Sequence, residues 1–296
     1  MPKEIIVKSV LNKSKRRDSW FLDDYTFNPY SSCAFNCLYC YIRGSKYGTN
    51  LATSLSVKTN AIELLEKQLS ARAKKGQYGF IVISSATDPY LKIEKEYELT
   101  RKALEVILKY KFPIHIITKG DLVTRDYDLI EEIDEKAILP DDLRPTLGRG
   151  ALVTFSFSTL DDPTGKIFEP GATPPSMRLE TLEQAVRADF HTGVSMMPLL
   201  PYISDTAANL EFMFSTFKAA GAKYLMPATI TLFGSGPADS KTLMLRAVAK
   251  HYPELVARYE KFFTNSNEMP AYYRDAFYKK MKALSVQYSI PDRIVN

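Results

Sequence analysis

Six runs of strand character recur at residues 25–29, 80–84, 114–118, 153–158, 194–198 and 224–231. They are rich in branched and aromatic residues, which suit a pleated, half-buried surface. Between them the apolar spacing changes to that of helices. Within 59–75, Ile62, Leu65 and Leu69 share one face, and Thr59 or Asn60 can serve as N-cap. Leu99, Ala103, Val106, Ile107 and Tyr110 line up in the same way within 96–110. So do Leu179, Leu182 and Val186 within 176–189. The last such stretch, 206–220, carries Leu210, Met213, Phe214 and Phe217, with Asp205 at a capping position. Strand and helix in alternation imply an α/β fold, a parallel sheet with helices outside. Six units are too few for a closed eight-fold barrel.

The chain of 296 residues, 45% apolar and 25% charged, is long enough to bury a core without staples. Collagen-like, low-complexity and wholly disordered classes are excluded. No apolar run approaches the roughly 20 residues of a spanning helix, so no membrane association is expected. Residues 1–17 lack an apolar stretch long enough for a secretory signal, and the expectation is a soluble, cytoplasmic protein. Those residues also hold six bases (Lys3, Lys8, Lys13, Lys15, Arg16, Arg17) against Glu4, a surplus equal to the whole chain's +5. Residues 241–296 add ten bases against five acids, while 121–142 hold nine acids and two bases. Basic ends attract phosphates, or simply stay solvated.

All three cysteines lie within eight residues, Cys33, Cys37 and Cys40. An odd number so closely spaced is not a disulfide framework. The spacing C-x3-C-x2-C places three thiolates on one short loop, enough for three corners of a four-iron cubane. Such clusters ordinarily take four cysteines, so one iron would stay open to another ligand, the mark of a catalytic site. Zinc is the competing metal. It would need His115, His191 or His251 as fourth ligand, and none shows the paired spacing of a zinc site.

C-x3-C-x2-C with Tyr39 before the last cysteine resembles the radical S-adenosylmethionine (SAM) superfamily. Asn28-Pro29-Tyr30, Cys40-Tyr41, Leu11-Asn12-Lys13 and Trp20-Phe21 narrow the resemblance to the spore photoproduct lyase-like family. Thr87-Asp88-Pro89-Tyr90, Ile117-Thr118-Lys119, Arg125-Asp126-Tyr127-Asp128-Leu129, Ser158-Thr159-Leu160-Asp161, Glu169-Pro170, Arg178-Leu179 and Pro198-Leu199-Leu200-Pro201 follow in order. The resemblance spans residues 9–205. Ser32 and Phe35 stand where the family often has glycine and histidine.

The resemblance implies a partial (β/α)6 barrel, open on one side, over residues 25–235. A basic arm (1–24) precedes it and a helical extension (236–296) follows. It implies two cofactors, a [4Fe–4S] cluster on Cys33, Cys37 and Cys40, and SAM. It also implies an electron donor of flavodoxin or ferredoxin type. Chemistry in such barrels lies at the C-terminal ends of the strands. Lys119 ends the third strand and is the candidate partner of the SAM carboxylate. Ser85 and Thr87 follow the second strand and are candidates for the amino group, although Asp88-Pro89-Tyr90 also reads as turn chemistry. Thr154, Ser156 and Ser158 alternate with Phe155 and Phe157, which puts a hydroxyl stripe on one strand face. Ser156 and Ser158 are candidates for the carboxylate or ribose; the alternative is bonding to neighbouring strands. Tyr39 is a candidate for packing near the adenine, Pro198 lies at the fifth strand's end, and Arg178 is a candidate for the carboxylate or a substrate phosphate.

The reaction implied is reductive cleavage of SAM to a 5′-deoxyadenosyl radical, which takes hydrogen from a substrate. The lyase that names the family is associated with a further cysteine that returns a hydrogen atom. This chain has none outside the loop, so another group, such as a tyrosine, does that work, or the reaction differs. The C-terminal stretch is rich in aromatics (Tyr252, Tyr259, Phe262, Phe263, Tyr272, Tyr273, Phe277, Tyr278, Tyr288), which read either as core or as a stacking platform for single-stranded nucleic acid. Three functions therefore compete. They are a radical enzyme on nucleic acid, a radical enzyme on a small molecule or peptide, and a cluster-containing binding protein without turnover.

Overall fold

The computed structural model describes residues 2–45, 55–83 and 86–295. Six parallel strands follow one another in the sheet: β3 (Tyr25–Phe27), β6 (Ile81–Ile83), β7 (Ile114–Thr118), β8 (Ala151–Ser156), β9 (His191–Leu199) and β10 (Leu225–Thr229). A short strand β2 (Leu11–Lys13) pairs antiparallel to β3 at one edge, and β10 is the other edge. The sheet curls without closing, as six units dictate. A separate three-stranded sheet joins β1 (Lys3–Ile5), β5 (Ser56–Lys58) and β4 (Tyr30–Ser31). No helix among the described residues is long and apolar enough to cross a membrane.

The outer wall is built from α1 (Ala61–Ala73), α3 (Leu99–Tyr110), α4 (Tyr127–Lys136), α7 (Pro175–Arg187) and α8 (Ala207–Ala219). Leu65, Leu69, Ala103, Ile107, Leu182, Leu210 and Phe217 bury their faces against Phe27, Ile81, Ile114, Phe155 and Val194. The expected helix 96–110 is divided. Glu98 adopts a left-handed conformation (φ 53°) between α2 (Glu94–Tyr97) and α3. The buried Glu94 carboxylate then caps α3 by accepting from the amides of Thr100 and Arg101. Asp205 does not cap α8. Thr206 does, accepting from Asn209 N at 3.3 Å, while Asp205 accepts from Tyr202 N and the Tyr273 hydroxyl.

Three helices close the C-terminal region: α9 (Ser240–His251), α10 (Val256–Phe263) and α11 (Ala271–Gln287). Tyr259, Phe262 and Phe263 pack with Tyr39 and Phe168, and Phe277 joins the main core. These aromatics are therefore core. Tyr272 and Tyr278 stay exposed.

From Lys13 onward the basic arm runs to the floor of the barrel. Lys13 stands opposite Tyr25 at the start of β3, and Arg17 bonds Asp24 and Asp142. Cations 13–17 thus lie at the end remote from the strand C-termini, not at the mouth. Trp20 and Phe21 pack with Leu22, Phe80, Tyr224 and Ile294 on that floor. Above them runs a buried hydrogen-bond chain. His115 Nδ1 donates to the Phe21 carbonyl (2.7 Å), which leaves Nε2 to accept from Thr154 Oγ1 (2.6 Å), itself accepting from the Tyr224 hydroxyl (2.7 Å). Gly193 admits the Tyr224 ring, since a Cβ there would lie 2.2 Å from it.

Burial lowers the His115 pKa to about 4, and that of His191, also mainly by burial, to about 4. Both imidazoles are neutral in the fold and take a proton near pH 6.5 once unfolded. Stability is therefore full above pH ~6.5 and is lost as the pH falls toward 4. For His115 alone the loss is about 3 kcal/mol, and urea midpoints measured across that range should show it.

Candidate active site

Side chains facing inward from the strands, with the loops that follow them, enclose a cavity of about 500 Å³. Thr26, Val82, Ile117, Ser156 and Ser195 form its strand wall. Cys33, Cys37 and Cys40 line its rim with Tyr39, Thr87, Lys119 and Pro198. Eight of the eleven sequence-predicted site residues are thus brought to one space. Ser85 lies outside the described residues.

Ser158 and Arg178 do not line this cavity. Both are fully buried behind it on Glu169. The hydroxyl stripe of the fourth strand divides into three roles. Thr154 joins the floor chain, Ser156 faces the cavity, and Ser158, past the end of β8, donates to Glu169 Oε1 at 2.8 Å.

The cysteine loop is held from several sides. Arg43 donates to the Cys37 carbonyl (3.1 Å), to the Ala238 carbonyl (3.2 Å) and to the Asn36 side chain. Leu38 N donates to the Phe168 carbonyl and Gly171 N to that of Phe35. Gly171 is required there, because a Cβ would lie 2.3 Å from the Ala34 carbonyl oxygen. The Tyr39 hydroxyl donates to Glu169.

Lys119 is placed by its backbone. Asp88 accepts from Lys119 N (2.7 Å), the Thr118 hydroxyl (2.8 Å) and Tyr90 N (2.9 Å). The Thr-Asp-Pro-Tyr motif thus combines a turn with a clamp on the next strand. The Lys119 ammonium lies 5.9 Å from the centre of the Tyr39 ring, between the clamp and the thiols. Burial raises the Asp88 pKa against those three donors.

Burial, with Asp88 second, pushes the Cys33 thiol up to about 12, and burial also raises Cys37. Both carry protons in the metal-free protein, so metal uptake must release them. The three free thiols fit a cluster in which each sulfur takes a different iron. No three His, Cys, Asp or Glu side chains among the described residues converge tightly enough for a single metal ion, as zinc requires.

A family model, the Radical SAM superfamily, matches residues 27–211, well over half of the chain. The chain belongs to the radical SAM superfamily. It is accordingly a radical SAM enzyme, and the superfamily implies a [4Fe–4S] cluster and SAM. An uncharacterized protein of Mycobacterium tuberculosis is 27% identical over 97% of this chain and 81% of its own length. A mutant of spore photoproduct lyase superposes with a TM-score of 0.68 at 14% identity, covering 98% of this chain and 80% of that one. Another mutant, with bound AdoMet and dinucleoside spore photoproduct, gives 0.61 at 14%, covering 94% and 78%. Streptococcus suis SuiB bound to precursor peptide SuiA gives 0.54 at 11%, covering 92% of this chain and 47% of its own.

Glu169 is the residue that sequence reasoning passed over. Its motif with Pro170 is visible, but its partner Tyr39 lies 130 residues away, and its nearer partners Ser158 and Arg178 read on their own as ligand contacts. The Asp88 clamp makes a direct test of how the site is set. Asp88→Asn leaves one carbonyl oxygen for three donors. It should destabilise the protein by about 2–4 kcal/mol in urea unfolding. An unchanged midpoint would show that the clamp contributes nothing.

Proposed function

We propose that Cys33, Cys37 and Cys40 hold a [4Fe–4S] cluster at the mouth of the barrel and that the cavity beside them receives SAM. Three thiols and one lysine around a single cavity at the strand C-termini carry this reading. When bound, the reduced cluster and SAM supply a 5′-deoxyadenosyl radical by one-electron cleavage of the C5′–S bond. The residues of the chain supply position and exclusion of water. Lys119 offers its ammonium to the SAM carboxylate as a compact charge. Ser156 offers a hydroxyl to the carboxylate or ribose, and the Ser85–Thr87 segment offers polar groups to the amine. Tyr39, Ile42 and Met197 give the cavity part of an apolar lining. The chain reads as an arm (1–24), a catalytic barrel (25–235) and a covering extension (236–296), with an electron donor of flavodoxin or ferredoxin type as partner.

A cavity of this size suits one ligand of cofactor dimensions, so the substrate presents its reacting carbon at the mouth. We infer a nucleic acid as that substrate. The likeness to spore photoproduct lyase over nearly the whole chain supports it. A peptide is the second reading, supported by the weaker likeness to SuiB. Repair of the photoproduct itself is disfavoured, because no cysteine outside the loop can return a hydrogen atom.

Anaerobic reconstitution should load four irons and four sulfides per chain, with an EPR signal on reduction. Stoichiometric zinc without that signal would contradict the assignment. Lys119→Ala should keep the cluster and weaken SAM binding roughly tenfold to a hundredfold, as loss of a charged hydrogen bond requires. Wild-type affinity in equilibrium dialysis would make Lys119 structural.

Single-stranded oligonucleotide binding should fall roughly tenfold or more from low to physiological salt. Since cations 13–17 lie at the floor, neutralising Lys13, Lys15, Arg16 and Arg17 should leave that salt slope unchanged. No binding at low salt would turn the reading to a peptide or small molecule.

A further inference from the structure

Tyr39, Ser158 and Arg178 all converge on one carboxylate. Glu169 is only 2% exposed. Its Oε1 accepts from the Tyr39 hydroxyl and from Ser158 Oγ (2.8 Å), and its Oε2 pairs with Arg178. Arg178, 0% exposed, also donates to the Ser156 carbonyl at 2.5 Å and sits 5.2 Å from the centre of the Phe157 ring. One buried ion pair therefore joins the cysteine loop, the end of β8 and α7. Arg178 holds Glu169 charged. Burial alone would raise its pKa, but Arg178 first, then Lys119 and the Tyr39 and Ser158 hydroxyls, hold it below the ordinary value.

Cys37 and Cys40 flank Tyr39, so the Tyr39–Glu169 bond pins the stretch of loop between two thiols. That bond also sets the carboxylate against the loop segment between the two thiols. A fixed negative charge beside a cluster disfavours adding an electron to it, and net charge is among the terms that set cluster potentials.

We propose that Glu169 is a positioning residue for the cluster. Its carboxylate, anchored by Arg178, pins the cysteine loop through Tyr39 and supplies a fixed negative charge that lowers the cluster's reduction potential. The second half rests on the cofactor reading above; the first does not.

The two halves are tested separately. In the cluster-free protein, Tyr39→Phe keeps the ring and both charges but cuts the tether. Iodoacetamide should then alkylate Cys37 and Cys40 roughly tenfold to a hundredfold faster, the opening expected when a hydrogen bond to a charged group is lost. Tyr259→Phe is the control. It removes a buried hydroxyl that donates to the Pro201 carbonyl at 3.0 Å in the same aromatic layer, and it should leave both rates at the wild-type value.

In the reconstituted protein, Glu169→Gln keeps an acceptor for Tyr39 and removes the charge. Its cluster potential, by EPR-monitored titration, should rise, while that of Tyr39→Phe stays near wild type. Wild-type alkylation rates in Tyr39→Phe, acceleration by the Tyr259 control as well, or an unmoved or lowered potential in Glu169→Gln would each overturn the proposal. If Glu169→Gln does not fold, the alkylation rates decide. A protein that takes up no iron would overturn the cofactor reading and leave the alkylation result to judge the tether.

Discussion

The buried Glu169–Arg178 pair is the interaction on which the upper half of this barrel depends. Two opposite charges without water are stable only when their remaining donors and acceptors are matched. Here the neighbours match all but the buried Arg178 Nε–H, which has no partner among the described residues. Tyr39 and Ser158 take up one carboxylate oxygen, and the Ser156 carbonyl takes up a guanidinium N–H. Removing either charge would strand the other. Through the Tyr39 hydroxyl, the carboxylate also ties residues 130 apart in sequence, which makes the cysteine loop part of the barrel rather than an appendage to it.

Polar anchoring is concentrated where the chain has left regular structure. Helices and strands satisfy their own backbone groups, and the outer core holds them by apolar burial. The loops above the strands have no such support. Asp88 fixes the third strand's end through three donors, Arg43 fixes the cysteine loop through carbonyls and Asn36, and Glu94 holds the start of α3. The C-terminal helices then cover this layer, with Tyr259, Phe262 and Phe263 packed beside Tyr39. The result is a hydrogen-bonded rim around an open cavity, the kind of support that holds a functional site in place.

Local pattern made the architecture legible. Period-2 runs and helical faces marked all six strands of the barrel, and β7 coincides with residues 114–118. The thiol spacing picked out a loop that lines the cavity. What stayed hidden is mostly side-chain pairing, which periodicity does not report. The Ser158 and Arg178 side chains look like ligand contacts until Glu169 is seen between them. The hydroxyl of Thr154 looks like its neighbour Ser156 until His115 and Tyr224 claim it. Cations 13–17 of the basic arm look suited to the mouth until the register of β2 on β3 carries them to the floor. A left-handed residue such as Glu98 breaks a helix that periodicity alone would continue.

The central claim is that three thiols and a lysine around one cavity make this chain a SAM-cleaving enzyme. It is tested most directly by incubating the reconstituted, dithionite-reduced protein with SAM and quantifying 5′-deoxyadenosine and methionine. The account predicts equimolar formation of both, abolished in Cys40→Ala. Intact SAM after incubation with a protein carrying a full, reducible cluster would contradict it.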